Sequence, residues 1–313
     1  MTKTLIGLLL LIIWSVVLVE CTINPPKGID GRPKKNHHNN DGVPGGLNQG
    51  TFPNVGVLQY YYLYYVSTQC FASPCPQFYV KASNTIERRL PIINAYFPDG
   101  VNTTEFLFQK DNYIVLFGMV VPHEQYSGNY NIQIFRAYKG MPLTNSISPH
   151  LDLFAIGDNG VRGVKAPCPN IYVGLVNTNA NFTMIGVTEP YTSTVTRFDK
   201  AWYNGRFYSP NALLVQGSFD DSGVFNIAHS FVLLPDPLYG CPLISNPLCE
   251  GNSVNVYIRD SNRCLHSDGC TTPGFCSLIV PSCSPGYRLV SYPARPNGCP
   301  SFVCECNFLS QIS

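Results

Sequence analysis

Charged side chains are scarce in this chain of 313 residues. Asp, Glu, Lys and Arg make up 12% of it, against a usual share of about 25%. The 20 Lys and Arg residues nearly balance the 19 Asp and Glu residues, and the formal net charge is +1. This balance gives no electrostatic reason to expect nucleic acid or an anionic membrane as a partner. With so little charge, turns and strands are favoured over helices that face solvent.

The chain also lacks a long apolar run of the kind that spans a membrane. The apolar run at its amino end, Leu5 to Val19, has 15 residues, whereas a spanning helix needs about 20. Lys3 precedes the run and polar sequence follows it, which is typical of an export signal. We therefore predict a signal peptide over 1–21, a secreted extracellular product and no stable membrane insertion after cleavage. An uncleaved anchor at the amino end is the alternative.

Motifs of the common catalytic and metal-binding classes are missing. The sequence has no Gly-x-Ser-x-Gly elbow, no His-Glu-x-x-His and no phosphate-binding glycine loop. An enzyme would need two of the residues His123, His150 and His229 to converge with a carboxylate. The pair Asp220-Asp221 precedes a turn without the repeated carboxylates of a calcium site. We expect no catalytic residue, no metal and no cofactor.

Cysteine, in contrast, is abundant. The chain has 13 cysteines, and cleavage after Cys21 would leave an even number, as a fully paired secreted protein requires. Cys70 and Cys75 are close enough in sequence to bridge, which would leave Cys168 for Cys241. Pairing of Cys75 with Cys168 is the alternative. The cysteines predicted to form disulfides are Cys70, Cys75, Cys168, Cys241, Cys249, Cys264, Cys270, Cys276, Cys283, Cys299, Cys304 and Cys306.

An internal repeat organises the middle of the chain. Residues 74–85 and 167–178 share the frame Pro-Cys-Pro-x-apolar-Tyr-Val-x-x-x-Asn-Thr at an offset of 93. A second echo links Ser127-Gly128 to Ser222-Gly223, each pair preceding an aromatic residue and an Asn-Ile strand. An internal repeat of this length indicates two copies of one structural unit. We place the copies at about 57–145 and 146–240.

Both copies are predicted to be built from β-strands. From Val57 onward, short runs rich in Tyr, Val, Ile and Phe alternate with Pro, Gly, Asn and Asp, and no window has a convincing helical period. The predicted fold class is all-β: a duplicated antiparallel domain over 57–240, either a sandwich or a barrel, followed by a small disulfide-rich module over 241–313. The polar segment 22–54 is predicted to be a flexible leader, because it has too few apolar residues to form a core.

Disulfides are the expected reinforcement of the tail. Eight of the cysteines lie between Cys249 and Cys306 in a stretch with few aliphatic residues, and a segment of that size needs covalent links. The absence of a Cys-x-x-Cys knuckle favours disulfides over zinc. The sequence alone does not choose among the 105 ways of pairing eight cysteines.

Tyrosine is concentrated in the first predicted strand. Alternation puts Tyr60, Tyr62 and Tyr64 on one face and Tyr61 and Tyr65 on the other, and one face must be core. Tyr61 and Tyr65 are therefore candidate contacts for a glycan or a protein. The alternative is that tyrosine fills a sheet that is covered on both faces.

Two acceptor triplets predict N-linked glycans. They begin at Asn102 and Asn181, and such triplets are glycosylated at the surface of exported proteins. Together with the signal peptide and the disulfides, they predict a secreted glycoprotein.

Two family resemblances follow from these motifs. The segment Cys70-x-x-x-Pro74-Cys75-x-x-Phe78-x-Val80-x-x-x-Asn84 resembles an uncharacterised family of exported domains found in social amoebae. That resemblance implies location and fold type only, because the family has no established activity. The tail, with its final Cys299-x-x-x-x-Cys304-x-Cys306, is similar to small extracellular modules that include antistasin-type protease inhibitors.

These observations predict a secreted, non-enzymatic protein of extracellular matrix, coat or cell-surface interaction. Its partner would be an extracellular protein or glycan. One alternative is a carbohydrate-binding module that uses the strand Tyr60 to Tyr65. The other is a protease inhibitor that acts through the tail, with a bait loop such as Tyr292 to Asn297.

Overall fold

The structure of the protein is a computed structural model that describes residues 54–65, 74–101, 113–143, 151–162 and 168–311. Several predictions therefore lie outside the described residues. They are the signal peptide, nearly all of the leader, Cys70, Asn102 and His150.

Fifteen strands and two short helices account for the regular structure of these residues. The strands before the tail are β1 Leu58–Tyr65, β2 Phe78–Ala82, β3 Leu90–Tyr96, β4 Ile114–Pro122, β5 Tyr130–Gly140, β6 Leu153–Asp158, β7 Ile171–Leu175, β8 Asn181–Met184, β9 Gly186–Thr188, β10 Leu213–Phe219 and β11 Val224–Leu234. The tail strands are β12 Val254–Arg259, β13 Leu265–Thr271, β14 Tyr287–Ala294 and β15 Cys299–Cys306. The helices are α1 Tyr191–Thr194 and α2 Lys200–Tyr208. Neither helix is long and apolar enough to cross a membrane.

The first copy of the repeat is a closed barrel of five strands. Strands β4, β1, β2 and β3 lie side by side in that order and are antiparallel, which is the spatial order 4-1-2-3 of a Greek key. Strand β5 pairs with β4 on one side and with β3, in parallel, on the other. We call this unit barrel 1. Five-stranded Greek-key barrels include the OB-fold, but an architecture by itself does not imply a function.

The second copy repeats this topology. Strands β10, β6, β7 and β8 follow the same order as β4, β1, β2 and β3. The short strand β9 continues β8 and pairs in parallel with β11, which closes barrel 2. The predicted duplicated all-β domain is thus confirmed. Each copy closes on itself, however, instead of sharing one sandwich or one barrel.

Along each strand, alternate side chains point into the interior of the barrel. In β2, Phe78, Val80 and Ala82 are buried, while Tyr79 and Lys81 between them are half-buried. Strand β3 was not predicted, because Pro91 interrupts its apolar pattern and proline removes a ladder donor. Helix α2 was also missed. Asp199 caps it by accepting a hydrogen bond from the Trp202 amide at 3.1 Å.

The two barrels share one continuous sheet and a second core. Strand β5 pairs antiparallel with β11, with Gly140 opposite Phe231 and Ala137 opposite Leu234. A separate apolar cluster lies between the barrels and contains residues from equivalent positions of both copies. Its buried members are Val115, Tyr138, Leu153, Val176, Leu214 and Phe231, with Tyr60 and Tyr62 packed against them.

Asn84 and Asn177, which close the repeated sequence frame, join the barrels reciprocally. The Asn84 amide nitrogen donates to the Leu153 carbonyl at 2.7 Å and the Val176 carbonyl at 3.0 Å. Its amide oxygen accepts from the Leu153 backbone N–H at 2.9 Å. Each of these contacts has a counterpart from the other copy.

Asn177 makes the equivalent set of bonds in the opposite direction. Its side chain donates to the Tyr60 carbonyl at 2.8 Å and the Ser83 carbonyl at 3.0 Å, and accepts from the Tyr60 backbone N–H at 2.8 Å. Tyr60 and Ser83 precede Leu153 and Val176 by 93 positions, the offset of the repeat. We call this pair the asparagine clamp. It relates the barrels as an isologous contact relates the subunits of a two-fold dimer.

The clamp generates a stability prediction. Asn84 has a left-handed backbone with φ of 57°, so Asn84→Ala both strains the backbone and removes three hydrogen bonds to barrel 2. We expect the free energy of unfolding to fall by about 3 kcal/mol, measured by urea denaturation of the oxidised protein.

Asn211 provides the matched control, because it is exposed and also has a φ of 57°. Asn211→Ala adds only the backbone strain, and we expect it to cost about 1 kcal/mol. Equal losses for the two variants would contradict a role for the Asn84 side chain in holding the barrels together.

Candidate functional site

The tail consists of two small modules with the same disulfide pattern. In each module the first cysteine pairs with the third and the second with the fourth, and the pairs tie an irregular loop to a β-hairpin. The sequence separations are 23 and 21 residues in the first module and again 23 and 21 in the second. The four disulfides are Cys241–Cys264, Cys249–Cys270, Cys276–Cys299 and Cys283–Cys304.

This pattern corrects two sequence-based predictions. Cys306 was predicted to form a disulfide, but it is a free, buried thiol. Burial raises its pKa. The pairing of Cys168 with Cys241 is also wrong, because Cys241 bonds to Cys264. Cys75 and Cys168 are each disulfide-bonded.

A second echo in the sequence marks these modules. Cys241-Pro-Leu-Ile and Cys276-Ser-Leu-Ile begin equivalent segments, and each segment reaches a Pro-x-Cys at Cys249 or Cys283. The group of eight cysteines from Cys249 to Cys306 omits Cys241, the first cysteine of the first module, and includes the unpaired Cys306, so it does not reveal this repeat. The shared form, Cys-x-Leu-Ile followed by Pro-x-Cys, was the signal available in the sequence.

Each echoed segment forms an exposed apolar loop. We call residues 241–249 the first apolar loop and 276–283 the second. Leu243 is 100% exposed in the first loop and Leu278 is 97% exposed in the second. The second loop is the more apolar of the two, because Leu278, Ile279 and Val280 are exposed within it and Phe275 is exposed directly before it, whereas the first loop exposes Leu243 and Leu248. Exposed apolar side chains grouped in this way make the loop a candidate interaction site.

The second apolar loop is held by few backbone hydrogen bonds, one of which runs from the Ile279 backbone N–H to the Ser277 hydroxyl at 3.2 Å. Within the continuous described range 168–311, no backbone-to-backbone hydrogen bond involves residues 275–283. Disulfides fix both ends of the loop, at Cys276 and Cys283, to strand β15. The loop is therefore tethered at both ends without being part of a sheet.

A network of buried charges in the tail reaches barrel 2 through two ion pairs, Arg259 with Asp199 at 3.0 Å and Arg263 with Asp236 at 2.6 Å. Glu305 on β15 accepts hydrogen bonds from Arg263 at 2.9 Å, Arg259 at 2.8 Å and Arg288. Burial would raise the pKa of Glu305, but the three guanidinium groups outweigh burial and hold it below its ordinary value. We call the whole set the ionic junction. Its members are Asp199, Arg206, Asp236, Arg259, Arg263, Arg288 and Glu305.

Helix α2 links this junction to the barrel. Arg206 on α2 donates to the Ser261 carbonyl at 3.2 Å and to the Asn262 side chain at 2.7 Å. A Cβ at Gly205 would lie 2.7 Å from the Ser261 Cβ, so only glycine allows the tail turn to approach the helix this closely. Trp202 donates to Asp236 at 3.1 Å. The tail is thus held against barrel 2 by bonds that need a defined geometry.

The tyrosine-rich strand is not an exposed platform. Tyr61 is 1% exposed in the interior of barrel 1, where its hydroxyl donates to Gln59 and burial raises its pKa to about 12. Tyr65 is half-buried against the same core. On the opposite face, Tyr60 and Tyr62 pack between the barrels. The prediction that Tyr61 and Tyr65 form an exposed contact surface is wrong, because Tyr61 is buried and Tyr65 is half-buried against the core of barrel 1.

The remaining candidate residues lie apart from one another. His123 stacks on Tyr126 in the loop between β4 and β5. The Asp220 side chain accepts hydrogen bonds from Ser222 and from the Val224 backbone N–H, so it stabilises the β10–β11 turn. Among the described residues, no group of three or more His, Cys, Asp or Glu side chains is arranged to hold a metal.

The predicted glycosylation and bait positions differ in exposure and structure. Asn181 is exposed at the start of β8, where its side chain accepts a hydrogen bond from the Tyr172 hydroxyl at 2.8 Å. The predicted bait segment 292–297 instead forms the end of β14 and its hairpin turn. The exposed apolar loops of the tail are elsewhere, at 241–249 and 276–283.

His229 is a buried histidine without a polar partner. It is 2% exposed and lies near Tyr113 and Phe231, and neither ring nitrogen makes a hydrogen bond with a described residue. Burial lowers its pKa from 6.5 to about 3. The folded protein thus keeps His229 neutral at pH values where the unfolded chain protonates it.

This difference in pKa predicts that acid destabilises the protein. Stability is lost as the pH falls from about 6.5 toward about 3, because only the unfolded chain gains the His229 proton in that window. At about pH 5 the loss is about 2 kcal/mol. In urea denaturation at a series of pH values, His229→Phe should remove this loss and His123→Gln should retain it. An unchanged pH slope in His229→Phe would contradict the assignment.

Comparison with known proteins identifies a relative in a social amoeba. An uncharacterised protein of Dictyostelium discoideum is 36% identical over 257 residues, which cover 80% of this chain and 88% of the relative. No family model and no solved structure matches the chain. This relative confirms the predicted resemblance to an uncharacterised family in social amoebae. The chain belongs to the same family as this uncharacterised protein of Dictyostelium discoideum.

Proposed function

We propose that this is a secreted, non-enzymatic protein of the extracellular matrix, coat or cell surface, and that its second apolar loop binds a partner protein. The observation that supports the proposal most directly is the exposure of Phe275, Leu278, Ile279 and Val280 next to two disulfides. Four disulfides fit maturation in an oxidising compartment. A glycan at Asn181 would fit the same route.

The physical design of the loop supports binding. Leu278 and its neighbours are held by covalent links at Cys276 and Cys283, so little conformational entropy is lost when a partner orders them. Segment 271–283 contains no charged residue, so docking does not require the desolvation of a charge. The loop belongs to no sheet, so its carbonyl groups and most of its N–H groups suit pairing with the exposed edge of a partner sheet.

The test is binding of the purified, oxidised protein to extracellular material from the organism that produces it. Leu278→Asp should weaken retention about 30-fold, equivalent to about 2 kcal/mol. The reason is that an apolar side chain that becomes buried in the complex is replaced by a charge. Thr272→Asp is the matched control, since it puts the same charge on an exposed neighbour outside the loop. Equal retention of Leu278→Asp and wild type would refute the role of the loop.

Inhibition of a protease is a second candidate function, favoured by the two disulfides that hold the same exposed loop at both ends. The only large side chains between Cys276 and Cys283 are Leu278, Ile279 and Val280, so the target would be an endopeptidase with an apolar specificity pocket. We expect stoichiometric inhibition of an elastase-type or chymotrypsin-type protease and none of trypsin. Leu278→Lys should move inhibition to trypsin. Cleavage of the loop without slowing of the protease would exclude this function.

A further inference from the structure

Barrel 1 has an apolar row on its outer surface. Hydrogen-bond register places Leu58, Met119, Gln133 and Tyr96 opposite one another across strands β1, β4, β5 and β3. Leu58 is 51% exposed and Tyr96 is 53% exposed. Phe135, two residues after Gln133, is 49% exposed. We call these five residues the barrel row, and none of them has a charged side chain.

The duplication supplies an internal comparison for this row. In barrel 2 the same register places Ser218, Asn226 and Thr188 opposite one another. All three are polar, and Thr188 donates to Asn226 at 2.6 Å. A barrel of this topology therefore closes without an apolar outer row. Leu151 is the counterpart of Leu58 at the offset of 93, so the first position of the row is apolar in both copies. Met119, Tyr96 and Phe135 are the apolar side chains that only barrel 1 has.

A β-bulge at Phe135 gives a second comparison between barrel 1 and barrel 2. In barrel 1, Gly118 pairs with Ile134 beside the bulge and leaves Phe135 as the extra residue of β5. In barrel 2, Gly217 pairs with Ile227 and leaves Ala228 as the extra residue of β11. Both extra residues are exposed. A bulge re-aims one side chain outward, and only the copy in barrel 1 uses it to present an aromatic ring.

We propose that the second apolar loop of one copy docks on the barrel row of another copy. The inference rests on the proposed function, because it names a second copy of the chain as a partner of that loop. Both surfaces are uncharged and largely apolar, and Gln133 is the one polar member of the row. Leu58, Tyr96 and Phe135 of the row and Leu278 of the loop are exposed within one copy. A net charge of +1 puts almost no electrostatic repulsion between copies. Leu278 and Phe275 provide apolar anchors, and Tyr96 and Phe135 provide the aromatic surface that interfaces favour.

Such a contact allows further copies to be added instead of ending in a closed dimer. The loop and the row are different surfaces, so each bound copy still presents one free loop and one free row. A heterologous contact of this kind builds rings or open filaments. Chains of this protein would then form a coat or matrix by their own association.

Sedimentation velocity of the full-length, oxidised chain tests the proposal. The wild type should grow beyond the dimer as its concentration rises from about 1 μM to about 1 mM. Phe135→Asp and Leu278→Asp should each remain monomeric when alone. An equimolar mixture of the two variants should form dimers and stop there, because one variant retains the row and the other retains the loop.

Two controls match these variants. Ala228→Asp places the same charge at the equivalent bulge of barrel 2, and Thr272→Asp places it beside the loop. Both should assemble as the wild type does. Retention of the far-ultraviolet circular dichroism spectrum and of the unfolding midpoint establishes that each variant is folded.

Three results would overturn the inference. A wild type that stays monomeric over the whole range excludes self-association. A mixture of Phe135→Asp and Leu278→Asp that forms no dimer excludes contact between row and loop. Flotation of a monomeric wild type with phosphatidylcholine vesicles would assign the loop to lipid. If the wild type is monomeric and Leu278→Asp still loses retention on extracellular material, the proposed function stands and the self-association is wrong.

Discussion

The arrangement of the two barrels depends on the reciprocal hydrogen bonds of Asn84 and Asn177. Each side chain bonds to backbone groups of the opposite barrel, so neither set exists unless both barrels are folded and in register. Both residues have a positive φ, which asparagine tolerates better than most side chains. The clamp fixes the apolar interface around Tyr60 and Phe231. It also fixes the pairing of β5 with β11.

The position of the tail follows from that of barrel 2. Asp199 and Asp236 belong to barrel 2 and its connections, and Arg259 and Arg263 of the tail form ion pairs with them. Glu305 accepts from the same two arginines on the tail side. Buried ion pairs add little net stability, but a broken pair is costly, so they favour one geometry over alternatives. Tyr287 adds a hydrogen bond to the Pro142 carbonyl at 2.9 Å. The apolar loops are therefore presented from a base that is fixed relative to the barrels.

Sequence patterns predicted the parts of this structure that depend on local periodicity. The repeated frame around Asn84 and Asn177 indicated the duplication, because both copies retain the turn and strand that the clamp requires. Strand β3 was missed since Pro91 breaks its pattern. Helix α2 was missed because its buried residues Trp202 and Arg206 serve the ionic junction and give no apolar stripe.

The candidate site was less predictable, because it depends on tertiary exposure. Alternation correctly separated the faces of Tyr60 and Tyr61, but the sequence does not state that the second barrel covers one of these faces. Cysteine spacing alone did not show that Cys306 is left out of the disulfides. Leu278 resembles any core leucine in the sequence, and only the packing around it leaves it exposed.

Native-state hydrogen exchange of the oxidised protein tests most directly whether the barrels and the tail form one unit. If the clamp and the ionic junction couple them, the slowest amides of β1, β6 and β15 should exchange with one common free energy, equal to that of global unfolding. Exchange of β15, or of either barrel, at a distinctly lower free energy would contradict the account. The apolar loops would then be carried by an independently opening part of the chain.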